Sequence, residues 1–170
     1  MFADTPKPGL AERPLGRFLG RAAFQQVVRD ALACAAQEGW REIVLSDPNF
    51  EDWPLGERAV CAALHLWARP GRQISILAHS FDEIVRRHAR FVQWRTTWSH
   101  LVECRANRRV DVSEFPSAMC APAWVMHRSA LENCAGQCSE DAQKRILLRQ
   151  SVDASWRQGS PAFPSTILGL

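Results

Sequence analysis

The sequence predicts an α/β domain built around a mostly parallel mixed sheet flanked by helices, and three observations carry that prediction. Three short runs rich in β-branched residues or leucine, residues 42–46, 73–78 and 100–105, read as strands of average length. The two segments between them carry apolar residues at helical spacing, so the order is β-α-β-α-β. A length of 170 residues with 46% hydrophobic composition is enough for one domain with a core and too short for two. Right-handed crossovers then place both helices against the sheet, on the same face if the strands add in one direction.

Taken in order, residues 1–20 hold Pro6, Pro8, Gly9, Pro14, Gly16 and Gly20 and predict a mobile or loosely docked arm. From Arg21 to Glu38, Phe24, Val27, Val28, Ala31, Leu32 and Ala35 form one stripe ended by Gly39, which predicts an amphipathic helix over the sheet. Residues 47–54 form a loop by their prolines and Asx residues, and Val60, Leu64 and Trp67 then mark a helix that Pro70 and Gly71 stop. Ser80-Phe81-Asp82-Glu83 has capping-box spacing and starts the next helix at Phe81. On that helix Ile84, Val85, His88, Phe91, Val92 and Arg95 share a face, with Arg86, Arg87 and Arg90 to the side.

After Arg105, alternation over residues 108–115 and the apolar run 122–127 predict two further strands, the second central. Residues 133–138 read as a loop, and Ser139 as the cap of a last helix with Ala142, Ile146, Leu148, Val152 and Trp156 on its stripe. Arg145 and Arg149 interrupt that stripe, so this helix packs only partly. The expected organisation is an arm over 1–20, one α/β domain over 21–158 and an irregular tail over 159–170.

With 21 basic and 18 acidic side chains the net charge is +3, too small to demand a polyanionic partner, though nucleic acid stays open. A local anion site remains compatible. Only Lys7 and Lys144 are lysines; the other cations are arginines, the side chain that grips phosphate or carboxylate through two parallel hydrogen bonds. A GC-rich genome produces the same bias. Of the six cysteines, Cys34 and Cys61 sit in helical patterns and Cys104 in a strand, without a secretory leader, which fits small buried thiols in a reducing, cytoplasmic setting. No run approaches the ~20 apolar residues of a membrane span.

Cys134 and Cys138 have a spacing seen in zinc sites, but only Cys120 and His127 lie nearby as further ligands, so an incidental pair is expected and no metal or cofactor is predicted. Among seven tryptophans, Trp94 and Trp98 lie at i, i+4 beside Arg95 and mark a possible contact for a protein partner or a second copy.

The run Ile43-Val44-Leu45-Ser46-Asp47, the helix spanning residues 82–92 and the run Leu101-Val102-Glu103-Cys104-Arg105 resemble, in that order, an uncharacterised proteobacterial domain similar to one half of the phospholipase D fold. The likeness covers roughly residues 40–157, mostly as an ordering of elements. It implies a His-x-Lys-x-x-x-x-Asp motif after the third strand, with histidine attacking phosphorus and lysine stabilising the developing charge. The sequence departs from this. The nearest approach, His127-Arg128-Ser129, has serine in the lysine position and no later aspartate.

Ligands of a parallel sheet lie beyond the carboxyl ends of its strands, which points to Asp47, His79 and the residues just after Arg105. Ser80 opens a helix whose free amides favour an anion, with Arg87 and His88 two turns along. Asp47, His79, Ser80, Arg87 and His88 are therefore the expected ligand-binding residues. Each also has a structural reading, Asp47 as a turn cap and His88 as a hydrogen-bonded core histidine. Two functions follow: a non-catalytic phospholipase D-like module for a phosphorylated or acidic ligand or a protein partner, and a divergent phosphoesterase in which Asp47 orients His79 or His88.

Overall fold

The structure, a computed structural model, describes residues 9–165. The elements are β1 (Gly16–Phe18), α1 (Arg21–Glu38), β2 (Glu42–Asp47), α2 (Arg58–Trp67), β3 (Gln73–Ala78), α3 (Asp82–Arg87), α4 (Ala89–Thr97), β4 (Val102–Ala106), β5 (Ala118–Cys120), β6 (Val125–Ala130), β7 (Ala135–Ser139), α5 (Ala142–Gln158) and β8 (Ser160–Pro161). The strands form one mixed sheet in the order β1-β7-β6-β5-β2-β3-β4-β8.

The expected β-α-β-α-β core is its centre: β2, β3 and β4 are parallel, with Ile43 opposite Ile74 and Ile76 opposite Cys104. The sheet is not mostly parallel, however. β5 runs antiparallel to β2, β6 to β5, β7 to β6, β1 to β7 and β8 to β4. Short turns between β5, β6 and β7 permit only antiparallel neighbours, because a parallel return needs a crossover of a dozen residues or more.

Two helical layers cover the sheet. On one face Phe24 and Leu32 of α1, Leu64 and Trp67 of α2 and Phe91 of α4 pack against Ile43, Leu45, Ile74 and Ile76. Gly39 ends α1 in the left-handed conformation that glycine adopts without steric cost, and its amide donates to the Ala35 carbonyl at 2.9 Å. Trp67 is fully buried because its indole N–H reaches the Trp40 carbonyl at 2.7 Å. Among the described residues the other face has α5 as its one helix, with Leu148 and Val152 on Val44, Leu77, Ala118 and Val125. One helix cannot span eight strands, so no helix among the described residues covers the β6–β7–β1 end of this face beside it.

Several local expectations are corrected. Residues 16–18 of the predicted arm form an edge strand, and residues 135–139, which include most of the predicted loop 133–138, form β7; Gly136 lets Phe18 and the His127 carbonyl approach where a side chain would collide. Residues 108–115 are not a strand, because the Asp111 carboxylate caps the Ser113 amide and winds residues 112–114 into a 3₁₀ turn. The helix from Phe81 divides at His88, which leaves helical geometry at φ −119° and ψ 56°. Glu83 does not close a capping box; it pairs with Arg86 and Arg87 instead. Asp141, rather than Ser139, caps α5 through the Lys144 amide. Past Gly159 the chain adds β8 beside β4, and Phe163 stacks on Phe81 at 5.2 Å. Residues 1–8 of the predicted arm, with Lys7, and residues 166–170 of the predicted tail lie outside the described residues.

Candidate functional site

Asp47 ends β2 at a position completely shielded from solvent. One carboxylate oxygen caps the turn that follows, accepting from the amides of Asn49 at 3.2 Å and Phe50 at 2.8 Å. The other accepts from Ser117 Oγ at 2.6 Å and from Arg128 Nη2 at 2.7 Å. Arg128 comes from β6, where strand alternation turns it inward while His127 and Ser129 face out. Its remaining donors meet Ser117 Oγ at 3.0 Å, Asp52 at 2.9 Å and Cys134 Sγ at 3.3 Å, and the guanidinium lies 4.5 Å from the Phe24 ring centre. This is a satisfied buried network. Its chemical effect is to lock the 48–57 loop to β5 and β6.

The other expected site residues are spread around that network. His88 is buried, and its Nε2 hydrogen-bonds the Phe50 carbonyl at 2.9 Å; burial pushes the imidazole pKa below its ordinary value. Arg87 is held by Glu83 at 2.6 Å and Glu51 at 3.2 Å, and these carboxylates raise its pKa. Ser80 Oγ accepts from the Asp82 amide at 3.3 Å. His79 is half-buried and meets Phe115 edge-on at 6.3 Å. No hydrogen bond joins Asp47 to either imidazole among the described residues. Arg87 and His88 line one cleft, whereas Asp47, His79 and Ser80 are not among its lining residues.

A different groove has the composition of an anion site. It lies where α5 leaves the open end of the sheet uncovered and encloses about 450 Å³, within the usual range for small-molecule sites. Val125, Leu147 and Leu148 supply its apolar lining, and His127, Gln137, Lys144 and the three serines Ser129, Ser139 and Ser151 its polar lining. No acidic side chain among the described residues lines it. Lys144 takes part in none of the ion pairs among the described residues. His127 is solvent-facing, yet partial burial beneath α5 lowers its pKa.

Sequence reasoning did not assign Arg128, Ser117 or Asp52 to the Asp47 network. Only the alternation in His127-Arg128-Ser129 hinted that the middle residue points inward. Lys144 was visible as an isolated lysine, but its place opposite β6 depends on α5 crossing strands that precede it. Cys134 serves the Arg128 network, and Cys138 is buried in the core. Trp94 and Arg95 of the supposed surface patch are buried, with Arg95 Nη2 donating to the Phe163 carbonyl at 3.2 Å. No described helix is long and apolar enough to cross a membrane.

No protein-family model matches this chain, and no curated protein matches it. Among solved structures it is similar to TrmBL2, described as an archaeal chromatin protein with a novel mode of DNA binding, at 17% identity and a TM-score of 0.62. That alignment covers 95% of this chain and 57% of TrmBL2, so the chain corresponds to just over half of that protein's length. The likeness is one of fold.

Proposed function

We propose that this chain is a non-catalytic, phospholipase D-like binding module for a small phosphorylated or acidic ligand, seated in the groove between α5 and β6–β7. The observation that carries the reading is a groove in which one lysine, Lys144, stands among neutral polar groups with no carboxylate in the lining and no ion-pair partner among the described residues. An anion entering here gains a charge-assisted hydrogen bond without displacing an existing partner. The chemical class comes from the resemblance, whose nearest approach to the motif, His127-Arg128-Ser129, sets His127 and Ser129 on this groove. The residues expected from sequence favour it less, because Arg87 is already held by two glutamates and Asp47 by Arg128.

Calorimetric titration at low salt with inorganic phosphate and phenyl phosphate tests the proposal. Saturable binding is expected, weakened about tenfold or more by Lys144→Gln, the equivalent of one charge-assisted hydrogen bond. Absence of saturable binding, or an unchanged affinity in the variant, refutes it. Hydrolysis of a phosphodiester that disappears in His79→Ala or His88→Ala favours the phosphoesterase instead. Single-stranded DNA belongs in the same titration, given the DNA-binding relative in fold, and its binding would weaken steeply with salt.

A further inference from the structure

The groove under α5 does not end at β7. A second hollow of about 500 Å³ adjoins it, lined by Arg17, Leu19 and Ala135 among others and sharing Ser129 and Gln137 with it. Strand register accounts for the continuity. His127 of β6 and Arg17 of β1 each stand directly opposite Gln137 of β7, so the three residues lie abreast. Their chain neighbours Met126, Phe18 and Cys138 belong to the core on the other face, and strand alternation therefore turns all three towards the α5 side.

Two cations stand at opposite ends of this surface. Arg17 is on the edge strand, two strand spacings or about 10 Å from His127, whereas Lys144 belongs to α5, which packs over β5 and β6. Lys144 lines only the first hollow and Arg17 only the second, so they do not converge on one point. Arg17, like Lys144, takes part in none of the ion pairs among the described residues. The position across the strand from it, where a carboxylate would pair with it, holds the neutral Gln137. No carboxylate among the described residues lines either hollow.

We propose that the ligand of this surface is a linear molecule with a phosphate group at each end, one met by Lys144 and the other by Arg17. The inference rests on the reading of the α5 groove as an anion site and specifies its ligand. Each phosphate meets a cation that has no partner to displace, and Gln137, Ser129 and His127 offer neutral hydrogen bonds along the interval. Once one end is held, the other meets its cation at high effective concentration, provided that the connecting chain spans the gap.

Calorimetric titration of the whole chain at low salt tests this with methylphosphonate and with alkane-α,ω-bisphosphonates, which stand in for the two phosphates, of about three to ten carbons. One length is expected to bind at least about tenfold more tightly than methylphosphonate, with shorter and longer members weaker. Arg17→Gln should abolish that advantage and Arg17→Lys should keep it, with circular dichroism confirming the fold of both. The proposal is overturned if no bisphosphonate exceeds methylphosphonate by more than the about twofold expected from carrying two identical groups. It is also overturned if the advantage survives Arg17→Gln, or if that substitution weakens methylphosphonate as much as the bisphosphonate. Binding of methylphosphonate without a bisphosphonate advantage rejects the two-ended ligand alone, whereas failure of every phosphonate to bind rejects the anion groove as well.

Discussion

Replacing Asp47 by alanine should destabilise this protein more than almost any other polar substitution. The Asp47 and Arg128 side chains are only 1% and 3% exposed and lie 2.7 Å apart, so losing one partner leaves the other charge buried. That typically costs about 3–5 kcal/mol. Asp47→Ala also releases the amides of Asn49 and Phe50, while Arg128 keeps Asp52 at 2.9 Å as a counter-ion, which places the loss near the middle of that range, at about 4 kcal/mol. Arg128→Met should cost about 3 kcal/mol, because Asp47 retains Ser117 and its two amides. With a urea slope of about 2 kcal/mol per molar, a 4 kcal/mol loss moves the unfolding midpoint by about 2 M. Combining the two substitutions removes both charges, so the double variant should be more stable than the sum of the single losses predicts, by about 2 kcal/mol or more. Urea unfolding followed by tryptophan fluorescence measures all four proteins. Single losses below about 1 kcal/mol, or strict additivity in the double variant, refute the argument.

Two further outcomes follow from close packing and burial. Gly136→Ala would drive a Cβ into the His127 carbonyl, to 2.5 Å from the Phe18 ring and 2.8 Å from the Arg128 Cα. Because backbone lies on both sides, a loss of about 3 kcal/mol or more is expected, with faster amide exchange in β1 and β7; wild-type exchange and melting would contradict this. His88 has its pKa lowered by burial, so on acidification the unfolded chain takes up the proton first, near pH ~6.5. Its contribution to stability is thus present above that pH and is lost as pH falls towards the folded-state value. His88→Gln should flatten the fall in urea midpoint between about pH 7.5 and 5; an unchanged slope argues against the assignment. His127, lowered in the same direction, leaves a residual slope that His127→Gln removes.

The parallel core was legible because each of its elements satisfies a local rule. Gly39 stops α1, Pro70 and Gly71 follow α2, and the apolar runs of β2 and β3 are those of strands covered on both faces. The strands that close the sheet were not legible, because their stability comes from partners distant in sequence. Ala135-Gly136-Gln137-Cys138 has the composition of a loop and becomes a strand by pairing with residues 16–18 and with β6. His88 was correctly placed on an inward helical face, yet its backbone departs from the helix where the ring meets the Phe50 carbonyl, a contact 38 residues away. The same applies to the candidate site. Asp47 was visible as a strand-ending acid, whereas Arg128, 81 residues later, becomes its counter-ion only once β6 has joined the sheet.

Strand order also has a consequence for synthesis on the ribosome. Gly16 pairs with Cys138 and Phe18 with Gly136, so the first strand finds its neighbour only after about 120 further residues have been made. At about 5–20 residues per second, that is a wait of roughly 6–24 s. α1, β2, α2, β3 and β4 emerge within the interval, while the free side of β2 waits for β5. The nascent chain therefore presents an unpaired sheet edge carrying Val44 and Leu45 for several seconds, the kind of edge that invites association with a second chain. Sheet closure is the late event in its synthesis, and the interval before it is when a holdase chaperone would have the greatest effect on yield.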